Sequence, residues 1–356
     1  MKKLSQIYLT ISLILFSLSG CTFLDEEPES IINSENFYQT ENDAIAATNA
    51  IYDYMTVGTQ GIFDDGFGGI FFNNFWVFKD ILSDNCQETI TTASYKDLSE
   101  FKFTPNNLQI EYYWEDLYKT IFSANIVIDR VPLIEMDEDK KAHLVAEARF
   151  IRALMYFEGV RLFGEVPLIL NETSSIEEAR IQRTDKASVY QAIIEDLEYS
   201  SNHLMPSYRF GNGRPVQMSC VALLAKVYLE MGEYQLSANH AEQVIDSGEF
   251  YLWDDFSKIF KLDNMNTGEI IFAANFSGSL SQGFKPNQYH VRLLPPMIYN
   301  SSKKEGPKNA WGWEVPTDDL YDSFNPLDRR REATFITSFT YSDGSTINFE
   351  PHIGKF

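Results

Sequence analysis

LVAEARFIRALMYFEGVRLFGEVPLIL, running from Leu144 to Leu170, is the stretch on which the reading of the fold turns. Leu144, Ala148, Ile151, Met155, Gly159 and Leu162 recur three or four apart, which sets them on one helical face. Phe150, Leu154 and Phe157 add a second apolar row. A helix apolar on two faces is expected between two layers rather than on a surface. Gly159 lies on the first stripe, where it costs about 1 kcal/mol of helix propensity against Ala. That cost predicts close approach by another backbone. Glu147, Arg149, Arg152, Glu158 and Arg161 are expected to line the remaining circumference. Gly164 can take the left-handed position past the last turn, and Pro167 prevents resumption.

Working outward, Tyr112 to Val131 spaces Trp114, Leu117, Ile121, Ala124 or Asn125, and Ile128 as a helix. Asn125 on that buried face reads as a satisfied structural amide. Glu41 to Met55 has the same period, with Thr40 as N-cap. Downstream, Lys186 to Leu204 should pair with the central helix through Val189, Ile193 and Leu197. Ala222 to Leu252 then follows a tetratricopeptide pattern: Ala222, Ala225, Tyr228, Gly232 at the turn, Tyr234, Ala238, Ala241 and Ile245. Such hairpins cannot bury their faces alone and must stack. The fold class expected is mainly α: an irregular TPR-like helical-repeat array with loop-rich insertions and a few short strands, one at Glu269 to Ala274.

Composition narrows the function. The chain has 356 residues, 44% hydrophobic and 14% aromatic, with a net charge of −22. Those fractions exclude general disorder, and the charge disfavours nucleic acid and anionic lipid as partners. The cysteines are Cys21, Cys86 and Cys220, with no Cys-x-x-Cys. Cys86 and Cys220 either pair or remain buried free thiols, and the second is the expectation. The histidines show no His-Glu-x-x-His spacing, and there is no Gly-x-Ser-x-Gly elbow or phosphate-cradling loop. Asp263 to Ala274 fails as a calcium loop: Met265 replaces an oxygen ligand, and Ala274 stands where a bidentate Glu is needed. No catalytic residue, metal site or cofactor is therefore assigned.

Lys2 and Lys3 precede an apolar run, Ile7 to Leu18, that is too short to span a bilayer and reads as a signal peptide over residues 1–20. Leu18-Ser19-Gly20-Cys21 then resembles a bacterial lipobox, which makes Cys21 the lipidation site.

What remains is binding. Sugars offer flat C–H faces and hydroxyl edges, so a site for them needs aromatic plates beside amides or carboxylates. Phe72-Asn73-Asn74-Phe75-Trp76 supplies both, within a glycine-rich stretch, Thr56 to Lys79, that reads as a loop. Tyr289, Tyr299, Trp311 and Trp313 form a second aromatic-rich region. The candidates for ligand contact are Phe72, Asn73, Asn74, Trp76, Tyr289 and Trp311. Core packing is the competing reading for each, and for Trp313 above all.

EARFIRALMYFEGVRLFGEVPLI, Glu147 to Ile169, resembles the central signature of the SusD/RagB family of Bacteroidetes outer-membrane lipoproteins. Phe23-Leu24-Asp25 with Pro28, the Ala124-Asn125 pair, Trp311 to Thr317, and Leu320-Tyr321 with Asp328-Arg329-Arg330 are similar too. Pro215 and Val216 depart from the usual Gly-Arg-Ala-Thr. The resemblance implies a non-catalytic lipoprotein of the outer membrane, facing the exterior and held by its lipid anchor only. It would capture an oligosaccharide or other oligomeric nutrient for a SusC-like TonB-dependent transporter. It also implies one helical-repeat domain over 21–356: N-terminal helices and loop (21–131), TPR-like core (137–250) and a loop-rich ligand side (251–356). That last region is expected to be incomplete, because in the family a Lys355-Phe356-like pair precedes a further C-terminal stretch. The alternatives are a TPR-type scaffold for proteins and, behind it, a surface glycoside hydrolase.

Overall fold

The computed structural model describes residues 37–56, 69–90, 92–206, 213–276, 292–306, 308 and 310–355. Its contacts divide the chain between Gln39 and Thr40, and the fold is that of the unit Thr40–Phe356. The signal segment 1–20, Cys21 and the residues to Pro28 lie outside the described residues.

Among the described residues, six long helices build the body: α1 Glu41–Thr56, α2 Leu108–Arg130, α3 Glu138–Phe163, α4 Lys186–His203, α5 Gln217–Glu230 and α6 Tyr234–Asp246. The central stretch is α3. It packs against α2 and α4, α1 lies on α2 and α3, and α5 leads from α4 to α6. The protein is thus mainly α, a TPR-like succession of helical hairpins. Local sequence explains the helix ends. Thr40 and Asp43 cap α1 reciprocally, the Asp43 N–H donating to Thr40 Oγ1 at 3.2 Å and the Thr40 N–H to Asp43 Oδ2 at 2.8 Å. Asn107, Asp137 and Asp185 accept first-turn N–H groups of α2, α3 and α4. Gly164, at φ 76°, closes α3 by donating to the Val160 carbonyl.

Both apolar rows of α3 are buried except at Leu154 and Leu162, which are half-buried, and three of its charges are buried too: Glu147, Arg152 and Glu158. On the circumference left by the apolar rows, these three face packed neighbours. A buried charge persists only where a partner meets it. Glu147 accepts from Tyr52 (2.7 Å) and Arg214 (2.5 Å), Arg152 is held by Asp196, and Glu158 by Lys79 (2.6 Å).

Gly159 corrects an expectation. A Cβ there would stand 3.0 Å from Leu117 Cδ2, so a side chain of α2, not a backbone, approaches it. The leucine terminus can shift a little. Gly159→Ala should therefore be near neutral, propensity gain offsetting contact, whereas Gly159→Val should cost about 1–3 kcal/mol by overpacking. Urea unfolding of the two variants tests this, and equal stabilities would refute it.

The α5–α6 hairpin turns at Gly232, φ 79°. α6 packs chiefly on α5, and Val244 is its one buried residue. Tyr234 (71% exposed) and Ile245 (75%) remain in solvent rather than inside a stack. Cys86 and Cys220 are free and buried.

Two irregular regions differ from expectation. Residues 57–68 lie outside the described residues, but Ile70–Ile81 is helical, built of wide π-type turns at Ile70–Asn74 and Val77–Ile81. Its apolar residues Ile70, Phe72, Trp76, Val77, Phe78 and Ile81 are buried, and that burial outweighs the loop signal of the glycines before them. Glu269 to Ala274 is not a strand. It docks by other contacts: Phe272 meets Phe150 edge-on at 5.0 Å, and the Ile271 carbonyl accepts from Ser219. Among the described residues, short helical turns and two short antiparallel ladders join these helices: β1 Cys86–Glu88 with β2 Glu314–Pro316, and β3 Phe335–Thr340 with β4 Thr346–Ile353.

Candidate functional site

The segment leading into β2 carries the aromatic pair Trp311 and Trp313. Their rings stack at 4.3 Å and 26°. Gly312 between them sits at φ 58°, and a Cβ there would lie 3.0 Å from Pro296 Cδ, so glycine is required. The backbone is pinned on both sides. The Thr89 N–H donates to the Trp313 carbonyl (2.9 Å), Thr89 Oγ1 to the Gly312 carbonyl (2.5 Å), and the Trp313 N–H to the Arg292 carbonyl (2.6 Å).

Behind the pair lies Arg292, fully buried. Its guanidinium carbon is 5.2 Å from the Phe72 ring, 5.4 Å from Trp313, and 6.0 Å from both Trp76 and Trp311. At these distances the ring quadrupoles attract the cation. Phe72 and Trp76 come one turn apart from the π-helical segment, and Trp76 stacks on Tyr95 at 6.1 Å. The fold therefore brings Phe72, Trp76 and Trp311 together around one arginine. Phe72 and Trp76 are buried and form the backing, whereas Trp311 and Trp313 are half-buried and reach the surface. Asn74 is buried beside Asp116, its Nδ2 3.4 Å from Oδ2. The side chain of Asn73, and all of Tyr289, lie outside the described residues. Tyr299 is half-buried, with Lys308 Nζ 5.8 Å from its ring.

The same strand β1 lines a cleft of about 610 Å³ bounded by Gln87, Glu88, Lys96, Glu100 and Phe101. Phe101 is 62% exposed and left-handed, φ 54°, a conformation costly for an aromatic residue. Sequence reasoning missed it, because Phe101 and Phe103 in a short polar run match no binding motif. It missed Arg292 as well, a single cation with no pattern around it.

Burial, reinforced by the charge of Asp80, pushes the Glu314 carboxyl up to about 8, although the Cys86 thiol donates to it. Burial likewise lifts Glu88 to about 7 and Cys86 well above its usual range. A raised carboxyl pKa means that the folded state holds the proton more tightly than the unfolded one. Stability from Glu314 is thus retained below its ordinary value of 4.5 and lost as pH rises towards about 8. Glu314→Gln should raise the melting temperature relative to the parent above that range and have little effect at low pH. Thermal melts at both pH extremes check this, and an equal shift at both would refute it. Among the described residues, no group of His, Cys, Asp or Glu is arranged to hold a metal ion.

A family model described as "Starch-binding associating with outer membrane" matches residues 22–229, more than half of the chain. The chain belongs to the SusD-like family. It is 28% identical to SusD-like protein P2 of Formosa agariphila, over 98% of this chain and 70% of that protein. A SusD-like protein of Bacteroides ovatus is 25% identical over 92% of this chain and 59% of its own length. Among solved structures, a laminarin-binding SusD-like protein superposes with TM-score 0.74 at 26% identity, over 90% of this chain and 72% of that one. A SusD superfamily protein of Parabacteroides distasonis gives TM-score 0.73 at 24% identity, over 92% and 70% of the two chains, and shows the shared fold. The SusD-like model covers α1 to α4 and most of α5. The Trp311–Trp313 pair lies beyond its last matched residue.

Proposed function

We propose that the chain is a surface-exposed, non-catalytic lipoprotein that captures an oligosaccharide and passes it to a SusC-like TonB-dependent transporter. The observation that carries this is the half-exposed Trp311–Trp313 stack, fixed from behind by Arg292 and at its edge by Thr89. A rigid indole surface accepts the apolar face of a sugar ring without ordering a loop, so little entropy is lost on binding. The polar groups of the β1 cleft supply partners for hydroxyls. A SusD-like relative that binds laminarin makes a β-glucan the first ligand to try, and the family description makes starch the second. Cys21 would carry the lipid that tethers the body to the outer membrane, after removal of residues 1–20. Among the described residues no helix is long and apolar enough to cross a membrane. The domain organisation proposed is one helical-repeat unit with its ligand side in 251–356.

Native electrophoresis through gels containing laminarin, starch or other neutral polysaccharides tests the reading. Retardation by at least one polymer is expected, and mobility unchanged by all of them would refute it. Pull-down from outer membranes should recover the transporter. A protein scaffold is the second reading, favoured by the exposed Tyr234 and Ile245 on the α6 hairpin. Recovery of the transporter without any polysaccharide retardation would select it.

A further inference from the structure

Helix α2 carries a second row of plates, far in sequence from Trp311. Trp114, Tyr118 and Phe122 succeed one another at i, i+4 spacing along one ridge, about 6 Å apart, with the aliphatic Ile110 one turn before them. They form one wall of a surface cleft of about 1220 Å³. The opposite wall is the segment between α3 and α4, with Pro167, Thr173 and Arg183 on the cleft.

This cleft is built rather than loosely packed. Trp114 is braced edge-on against Phe163 at 5.1 Å and lies 4.8 Å from Tyr118. The Tyr118 hydroxyl donates to the Pro167 carbonyl at 2.7 Å. Asn125 Nδ2 donates to the Ile169 and Asn171 carbonyls (2.9 and 3.1 Å), and Glu172 pairs with Arg130. Both walls are therefore set before any ligand arrives. Trp114 and Tyr118 remain half-buried, and Phe122 is 41% exposed.

The chemistry selects the occupant. Glu111, Glu115 and Lys119 run beside the aromatic row, with Glu165 and Arg183 across from it. Glu115 and Lys119 pair with each other. The rim thus nearly balances in charge, which favours neither an anionic nor a cationic polymer. Along Pro167 to Ile169 the facing wall leaves few backbone groups for a strand partner. The Pro167 and Ile169 carbonyls are taken by Tyr118, Tyr156 and Asn125, and the Ile169 N–H by the Tyr156 hydroxyl. Strand addition by a peptide is therefore disfavoured. Plates about one helical turn apart, flanked by hydroxyl-binding groups, match the advance from ring to ring along an extended glycan.

We infer that the cleft between α2 and the 164–183 segment is a second carbohydrate site, which takes an extended stretch of an uncharged polysaccharide across Trp114, Tyr118 and Phe122. The inference rests on the glycan-binding reading above and adds to it: two sites on one body would grip a polymer by avidity.

The test uses the full chain in retardation gels containing laminarin, starch or other neutral polysaccharides, with Phe122→Ala, Phe122→Trp and Trp311→Ala. Phe122→Ala should weaken retention by the bound polymer about tenfold, at an unchanged melting temperature, through loss of one of two linked contacts. Phe122→Trp should keep it. Trp311→Ala should leave residual retention that the double variant loses. Parental retention in Phe122→Ala, with retention abolished by Trp311→Ala alone, overturns the second site and leaves the first standing. A parent protein that no polysaccharide retards overturns both.

Discussion

Replacing Asp196 with alanine should lower the unfolding free energy by about 3–5 kcal/mol, the cost of leaving a buried charge without its partner. The Arg152 and Asp196 side chains are 5% and 4% exposed. Arg152 donates through Nε and Nη2 to the two Asp196 oxygens at 2.7 and 2.8 Å, a bidentate pairing. Its Nη1 reaches Asn125 of α2 (2.8 Å) and the Leu170 carbonyl (2.6 Å). One guanidinium thus ties together α2, α3, α4 and the segment that follows α3. Arg149, 3.3 Å from the same carboxylate, would lose its partner as well. A loss of that size is a large fraction of the 5–15 kcal/mol typical of domains. The paired variant Arg152→Met with Asp196→Leu should recover most of it, because the penalty arises from the orphaned charge rather than from losing the pair itself. Urea unfolding measures both variants. A cost below about 1 kcal/mol for Asp196→Ala would mean that water already solvates the arginine.

The helices were legible because period and caps are local. Thr40 caps α1 within a few residues of itself, and Gly164 stops α3 where the pattern ends; Asn107 and Asp137, which cap α2 and α3, lie before the periodic stretches and were not read. Asn125 was legible as a structural amide because its stripe is otherwise apolar. The charges of α3 were not legible. Periodicity assigns charge to solvent, and the partners that reverse this lie far off in sequence: Lys79, Asp196 and Arg214. The Ile70–Ile81 segment was misread because glycine counts upstream outweighed an apolar run that buries in wide turns. At the site, the aromatic richness of both regions was visible, but not their convergence. That depends on Arg292, a single cation in turn-rich sequence, and on a three-residue ladder joining Cys86 to Pro316. Only the fold separates the rings that face solvent from those that support them.

That separation gives the second large effect. Trp76 is 3% exposed, lies 6.0 Å from Arg292 and stacks on Tyr95. Trp76→Ala should cost about 3–5 kcal/mol by opening a cavity of indole size. It should weaken polysaccharide retention only as far as the platform loosens. Trp311→Ala should do the reverse. A half-buried ring gives up much less stability, while the stacking surface for a sugar is halved. Retention should then fall at least tenfold, or about 1.4 kcal/mol. Denaturation midpoints and gel retardation on the same two proteins separate the roles. If Trp311→Ala lowered the midpoint as much as Trp76→Ala and left retention at the parental level, Trp311 would belong with Phe72 and Trp76 in the support of Arg292. The sugar surface would then have to be sought in the β1 cleft, at Phe101. The strained backbone of Phe101 makes this alternative concrete: a left-handed, mostly exposed phenylalanine costs free energy that no buried contact repays. Phe101→Gly, relieving the backbone while removing the ring, should raise stability and lower retention together if that ring is a plate.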